Sequence, residues 1–248
     1  MRKSTMFKFL IGSMFLITCS NLNAQDLSIK WDFPLKPGME EWKKLTSHKA
    51  MVDVCQIPEN VLPALSTDEL VNLCLNYPLF FTMTAFNNLQ DGYNQVCSEF
   101  NGFQELYRRA DAGKAVLKVY CTVEPKLVKI KKTLLEKGLY KQKIFFIEFI
   151  LSQPSIINNL AISDIKLLLS EALVKLDEKA RNNYSSFSIL PTPLVMCRVL
   201  ETKKFSKYEI LSHQIGSIPD FSRTVMLIDE GIIEQLRSMT VDYLNSVN

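Results

Sequence analysis

Residues 57–107 read IPENVLPALSTDELVNLCLNYPLFFTMTAFNNLQDGYNQVCSEFNGFQELY and hold the clearest helix starts and stops in the chain. Ser66 is followed three positions later by Glu69, the spacing of a capping box. In that device the Ser66 hydroxyl accepts the Glu69 backbone N–H, and the Glu69 carboxylate accepts the Ser66 N–H. Leu65 and Leu70 stand at the positions of a hydrophobic staple across the cap. Leu70, Leu73, Cys74 and Tyr77 then recur at helical spacing, so one face is apolar. Pro78 stops the helix. Further helices are expected over residues 79–87 and 90–100. Asn101-Gly102 supplies a left-handed helix end. Residues 103–109 then make a turn or two, and Asp111 caps a helix that runs through Tyr120.

Outward from this stretch, the first 24 residues read as a signal peptide. Arg2, Lys3 and Lys8 form the positive start, and residues 9–17 are an apolar core too short for a stable span. Leu22-Asn23-Ala24 offers a cleavage site before Gln25. The alternative is lipidation at Cys19, for which Thr18 is a larger neighbour than such sites take. The expected location is outside the cytoplasm, periplasmic or extracellular, or lipid-anchored if Cys19 is the modified residue. No other apolar run reaches membrane-spanning length.

The charge follows the leader. Of 29 Lys and Arg, three lie in the first 24 residues, which leaves 26 against 26 acidic residues. A neutral mature chain gives no electrostatic case for nucleic acid. Apolar residues make up 47% of the chain, and glycine occurs only 8 times. No Asn-Gly or Asp-Gly sits between alternating strands, so the expected fold is all-α, a multi-helical array or bundle. The 224 residues left of 248 after the leader form an expected single domain, 25–248, with possible sub-boundaries near 125 or 152–155.

The same order of motifs resembles a group of secreted bacterial helical proteins to which no activity attaches. Ile57, Pro58, Glu59, residues 65–70 (LSTDEL), 74–79 (CLNYPL), 86–88 (FNN), 100–102 (FNG) and 105–113 (ELYRRADAG) carry the resemblance, about a quarter of the chain. It implies export and a helical module, and it transfers no catalytic residue.

Trp31, Phe33 and Trp42 cluster around Pro37-Gly38. They are the candidate binding residues, as a stacking platform for a sugar ring. The competing reading is an N-terminal strap pinned by buried rings, since aromatic side chains dominate core burial. Residues 39–54 follow as one helix. Residues 126–143 carry seven lysines (126, 129, 131, 132, 137, 141 and 143) against one acid, Glu136. Phosphate or acidic glycan binding is one reading. A solvated helix face is the other, with Leu127, Ile130, Leu134 and Leu135 turned to the core. Gly138 marks an expected break, and residues 139–151 an almost wholly buried helix.

From Pro154 the pattern faintly echoes the opening stretch. Pro58 precedes Ser66 by eight positions and Pro154 precedes Ser163 by nine. Ile165, Leu168, Leu169, Ala172, Leu173 and Leu176 form a helical stripe, so two solenoid-like repeats are a possible reading, although two units do not establish a solenoid. Residues 182–193 read as a mobile loop. Short helices over 194–203 and 207–214 and a final helix over 225–247 complete the chain.

Catalytic motifs do not emerge. His48 and His213 are far apart in sequence, and neither Cys-x-x-Cys nor His-Glu-x-x-His occurs, so no metal, cofactor or catalytic residue is assigned. Cys55, Cys74, Cys97, Cys121 and Cys197 are an odd set after the leader, with no pairing assigned. The expected function is binding to a protein or cell-envelope component. The alternative is a hydrolase whose Cys/His or carboxylate site is assembled from scattered residues. A deep polar pocket at a histidine distinguishes the second from the first, which needs an exposed apolar patch or groove.

Overall fold

The computed structural model describes residues 31–226 and 228–247. The expected leader, residues 1–24, and Cys19 lie outside the described residues. Among the described residues every regular element is a helix, and the fold is an all-α, multi-helical array. The N-terminal strap carries α1 (Glu40–Lys43) and α2 (His48–Val54). These are two short helices where one was expected. Ser47 starts the second, its hydroxyl accepting the Ala50 N–H at 3.2 Å.

The capping box at Ser66 forms as its spacing predicts. The Glu69 N–H donates to the Ser66 Oγ at 3.2 Å, and the Ser66 N–H donates to the Glu69 Oε2 at 2.8 Å. It opens α3 (Thr67–Leu75), whose Leu70, Leu73 and Cys74 are buried. A 3-10 turn, Phe80–Ala85, leads to α4 (Leu89–Glu99) and α5 (Asn101–Leu106). Asn101-Gly102 is not a left-handed helix end. It begins α5, and the Asn101 amide is used to bind the backbone of Ile57 through both of its polar groups. Gly92 lies inside α4 because the helix runs against the 3-10 turn. An added Cβ there stands 2.0 Å from the Met83 carbonyl oxygen.

Asp111 precedes α6 (Ala112–Thr122), but its carboxylate accepts the Thr67 hydroxyl at 2.9 Å instead of capping that helix. Another 3-10 turn, Pro125–Ile130, precedes α7 (Leu134–Leu151). The helix passes through Gly138 without a break. Then come α8 (Pro154–Asn158), α9 (Ile162–Arg181), α10 (Ser186–Ile189) and α11 (Pro191–Thr202). α9 buries Ile165, Leu168, Leu169, Ala172 and Leu176, the predicted stripe.

Residues 182–193 are largely helix, not a loop. Ser185 caps α10, and Pro191 and Pro193 sit in the first turn of α11, where their missing N–H groups are not needed. Every residue of α11 from Pro191 to Leu200 is buried. It packs against α7, α8, α9, α13 (Ser217–Thr224) and α14 (Glu230–Ser246), while α12 (Ser206–Gln214) closes that end. Buried apolar side chains form one continuous core from Phe33 to Tyr243.

Two polar knots lie in this core. The Glu148 carboxylate of α7 is paired with the Lys179 ammonium of α9, both fully buried. The Tyr120 and Thr192 hydroxyls each donate to its Oε1 at 2.9 Å. Lys179 also donates to the Thr192 Oγ1 at 2.9 Å and to the Ser188 carbonyl at 3.2 Å. The second knot centres on Arg198, which donates to the Ser222 carbonyl at 2.9 Å and to the Gln90 Oε1 at 2.7 Å. A buried charge must be compensated to be tolerated: Glu148 and Lys179 neutralise each other, while Arg198 is held by hydrogen bonds to neutral acceptors.

Candidate functional site

α7 divides into two unlike halves. Residues 144–151 are all buried, and none of residues 134–143 is. At a rise of about 1.5 Å per residue, the outer ten residues run for about 15 Å along the surface. They start at a second capping box. The Thr133 Oγ1 accepts the Glu136 N–H at 3.1 Å, and the Glu136 Oε2 accepts the N–H groups of Thr133 at 3.1 Å and Lys132 at 2.7 Å. Those bonds hold the Glu136 carboxyl below its ordinary value, the Thr133 bond contributing most. The one acid of the segment is therefore occupied by the backbone.

The apolar residues here are not in the core. Leu134 is 86% exposed, Leu135 72%, Ile130 70% and Leu139 56%. This corrects the expectation of a buried stripe. The 3-10 turn buries Val128 and Pro125 instead, and the extended Lys131 ends it before α7 starts. Leu135 and Leu139 lie four apart, and Leu134 lies on the adjoining row beside Gly138, so they form one outward face.

The lysines surround that face. Lys126 pairs with Glu124 at 2.5 Å and with Glu178 at 3.5 Å. The other six form no ion pair among the described residues. Lys131 lies over the Tyr140 ring at 4.8 Å, and Lys141 over the Tyr184 ring at 4.6 Å. Tyr140 is held by Glu124, whose carbonyl accepts its hydroxyl at 2.9 Å. Beside the half-helix lies an open cleft of about 770 Å³, with Lys131, Lys132, Leu139 and Tyr140 on one side and Leu75 and Asn76 at the end of α3 on the other. Its size is that of common ligand cavities.

The aromatic residues singled out in the sequence are divided. Phe33 and Trp42 are buried, and Phe33 packs 5.8 Å from Phe100 and 6.1 Å from Tyr77. Trp31 is half-buried, edge-on to Phe33 at 5.0 Å, and borders a depression of about 730 Å³ with Asp68 and Asn72.

Neither cleft is lined by a histidine or a cysteine. The His48 Nε2 is 2.9 Å from the Glu99 Oε2, and that ring is half exposed at the surface. His213 stands in the last turn of α12. No group of three metal-ligating side chains occurs among the described residues. The five described cysteines are free thiols. Burial pushes Cys55 up to about 11 and Cys97 up to about 12, away from the thiolate that nucleophilic chemistry needs. The Glu148–Lys179 pair has the chemistry of an acid–base site, but neither cleft reaches it. Burial pulls the Lys179 ammonium down, and Glu148 opposes that shift. It holds α6, α7, α9 and α11 together.

No protein-family model, curated protein or solved structure matches the chain. No described helix is long and apolar enough to cross a membrane.

Proposed function

We propose that this is an exported binding protein that engages a cell-envelope component through the outer half of α7 and the cleft beside it. The exposure of Leu134, Leu135, Leu139 and Ile130 carries the reading. Exposing contiguous apolar area costs solvation free energy, and in a folded chain with a large core such an area marks an interaction site. The leader-like residues 1–24 and the resemblance to secreted helical proteins support the same reading. The surface position of His48 and the raised Cys55 and Cys97 thiols give the scattered-residue hydrolase no comparable support.

The test is retention of the chain from Gln25 on isolated cell-envelope material, compared with the variant Leu135→Asp/Leu139→Asp. The reading expects the variant to be released while its circular dichroism is unchanged. Equal retention of both proteins contradicts it.

A further inference from the structure

We infer that the partner of this surface is an anionic lipid bilayer, into whose interface the outer half of α7 inserts its leucines while the lysines meet the headgroups. This rests on the binding reading above and names the partner class for the same site. Two observations point to it together. The first is the shape of the apolar group. Leu134, Leu135 and Ile130, each at least 70% exposed, project at the junction of a 3-10 turn and a helix start. Side chains this exposed are well suited to insertion into a bilayer interface, which closes around them. The cleft is lined by Leu139 and Ile130 but by neither Leu134 nor Leu135, so an occupant of the cleft leaves two leucines wet.

The second observation is charge. Lys129, Lys131, Lys132, Lys137, Lys141 and Lys143 lack ion-pair partners among the described residues, and Glu136 is bound to the backbone. From Gln25 on, 26 basic residues balance 26 acidic ones in total, so the lysine excess of residues 126–143 is a local feature offset elsewhere in the chain. Apolar side chains ringed by lysine on a short amphipathic helix are what interfacial binding needs. The leucines partition into the acyl boundary, and each lysine near an anionic surface adds about 1 kcal/mol. Lysine stems lie along apolar area with their ammonium groups in water, which places the charges at headgroup depth. A bilayer interface takes up the leucines and the lysines at once, whereas a purely acidic surface would engage the lysines alone.

The experiment is co-sedimentation of the chain from Gln25 with vesicles of phosphatidylglycerol and phosphatidylcholine in equal parts, and with vesicles of phosphatidylcholine alone. The described residues close a continuous core without the leader, so this chain is the folded unit. Binding is expected to the anionic vesicles only. It should weaken at least tenfold in Leu134→Asp/Leu135→Asp and separately in Lys131→Glu/Lys132→Glu. It should also fall steeply as salt rises from about 0.1 M to about 1 M, since the Debye length shrinks from about 10 Å to about 3 Å. All four side chains are on the surface, so unchanged denaturation midpoints are the control for folding. Absent or charge-independent binding, or binding indifferent to the leucine variant, overturns the inference. If pure vesicles are not bound while envelope retention still needs Leu135 and Leu139, the partner is a protein and only the lipid assignment fails. If envelope retention is also indifferent to the variants, the binding reading fails with it.

Discussion

α3 and α7 open with the same device, yet only one of them is followed at once by a buried face. Ser66 and Glu69 start α3, and Leu70 and Val71 are already fully buried. Thr133 and Glu136 start α7, and burial begins only at Ile144, ten residues later. The cap fixes where a helix begins. Whether its apolar residues are covered depends on what lies alongside: α3 has α5 and α6 against its face, while the start of α7 has a 3-10 turn on one side and an open cleft on the other. The buried half anchors α7 and the cap starts it, so its outer turns continue the helix without cover and leave their leucines exposed.

The largest expected effect lies at the inner end of α7. Glu148→Ala removes the acceptor of three buried donors and strands the Lys179 charge. Urea denaturation should show a loss of about 3–5 kcal/mol, the usual cost of breaking a buried pair from one side. A loss below about 1 kcal/mol would mean that water reaches the site. Next come the caps. Ser66→Ala should lower global stability by about 1 kcal/mol. Thr133→Ala should change the midpoint less, because the turn it starts is not part of the core, but it should speed amide exchange at residues 134–137. Equal effects on the midpoint would make the outer half of α7 as integral as α3.

The two box carboxylates give a smaller effect that depends on pH. Hydrogen bonds from Ser66 lower the Glu69 carboxyl, and backbone bonds from Thr133 and Lys132 lower that of Glu136, both from an ordinary value of 4.5. A folded value below the unfolded one means that the stabilisation is complete above pH 4.5 and is lost as pH falls through the lowered value. Carboxyl titration by NMR should place both below that value, and Thr133→Ala should move Glu136 back towards it. An unmoved Glu136 would show that the box is not formed in solution. The smallest effect is on stability itself at the outer face. Leu134→Ser/Leu135→Ser should shift stability by no more than about 0.5 kcal/mol, as for exposed positions generally.

Much of the architecture can be read from the residues themselves. Ser66 with Glu69, Pro78 and the spacing from Ile165 to Leu176 announce two helices and their buried faces. The failures have several sources, and the main one is tertiary cover. Helical spacing shows that Ile130, Leu134 and Leu135 are apolar positions in a lysine-rich segment, but it does not say whether a neighbour covers them. Thr133 and Glu136 carry the same three-residue spacing as Ser66 and Glu69, and that signal was available. Pro191 and Pro193 suggest a loop, yet proline is as much at home in a helix's first turn as outside it. Glu148 stands in an apolar run as a lone charge, and its partner Lys179 is found only when α7 and α9 pack. Trp31, Phe33 and Trp42 stand close in sequence, but exposure separates them, and no local signal tells the half-buried ring from the buried ones.

Hydrogen exchange along α7, read by mass spectrometry with and without anionic vesicles, most directly tests the division of that helix into a core half and a surface half. Residues 144–151 should exchange only on global unfolding in both conditions. Residues 131–143 should exchange faster in solution and become protected when phosphatidylglycerol vesicles are added, with no change for phosphatidylcholine alone. Uniform protection along the whole helix, or outer residues that ignore the anionic vesicles, would contradict the assignment of this half-helix to a membrane surface.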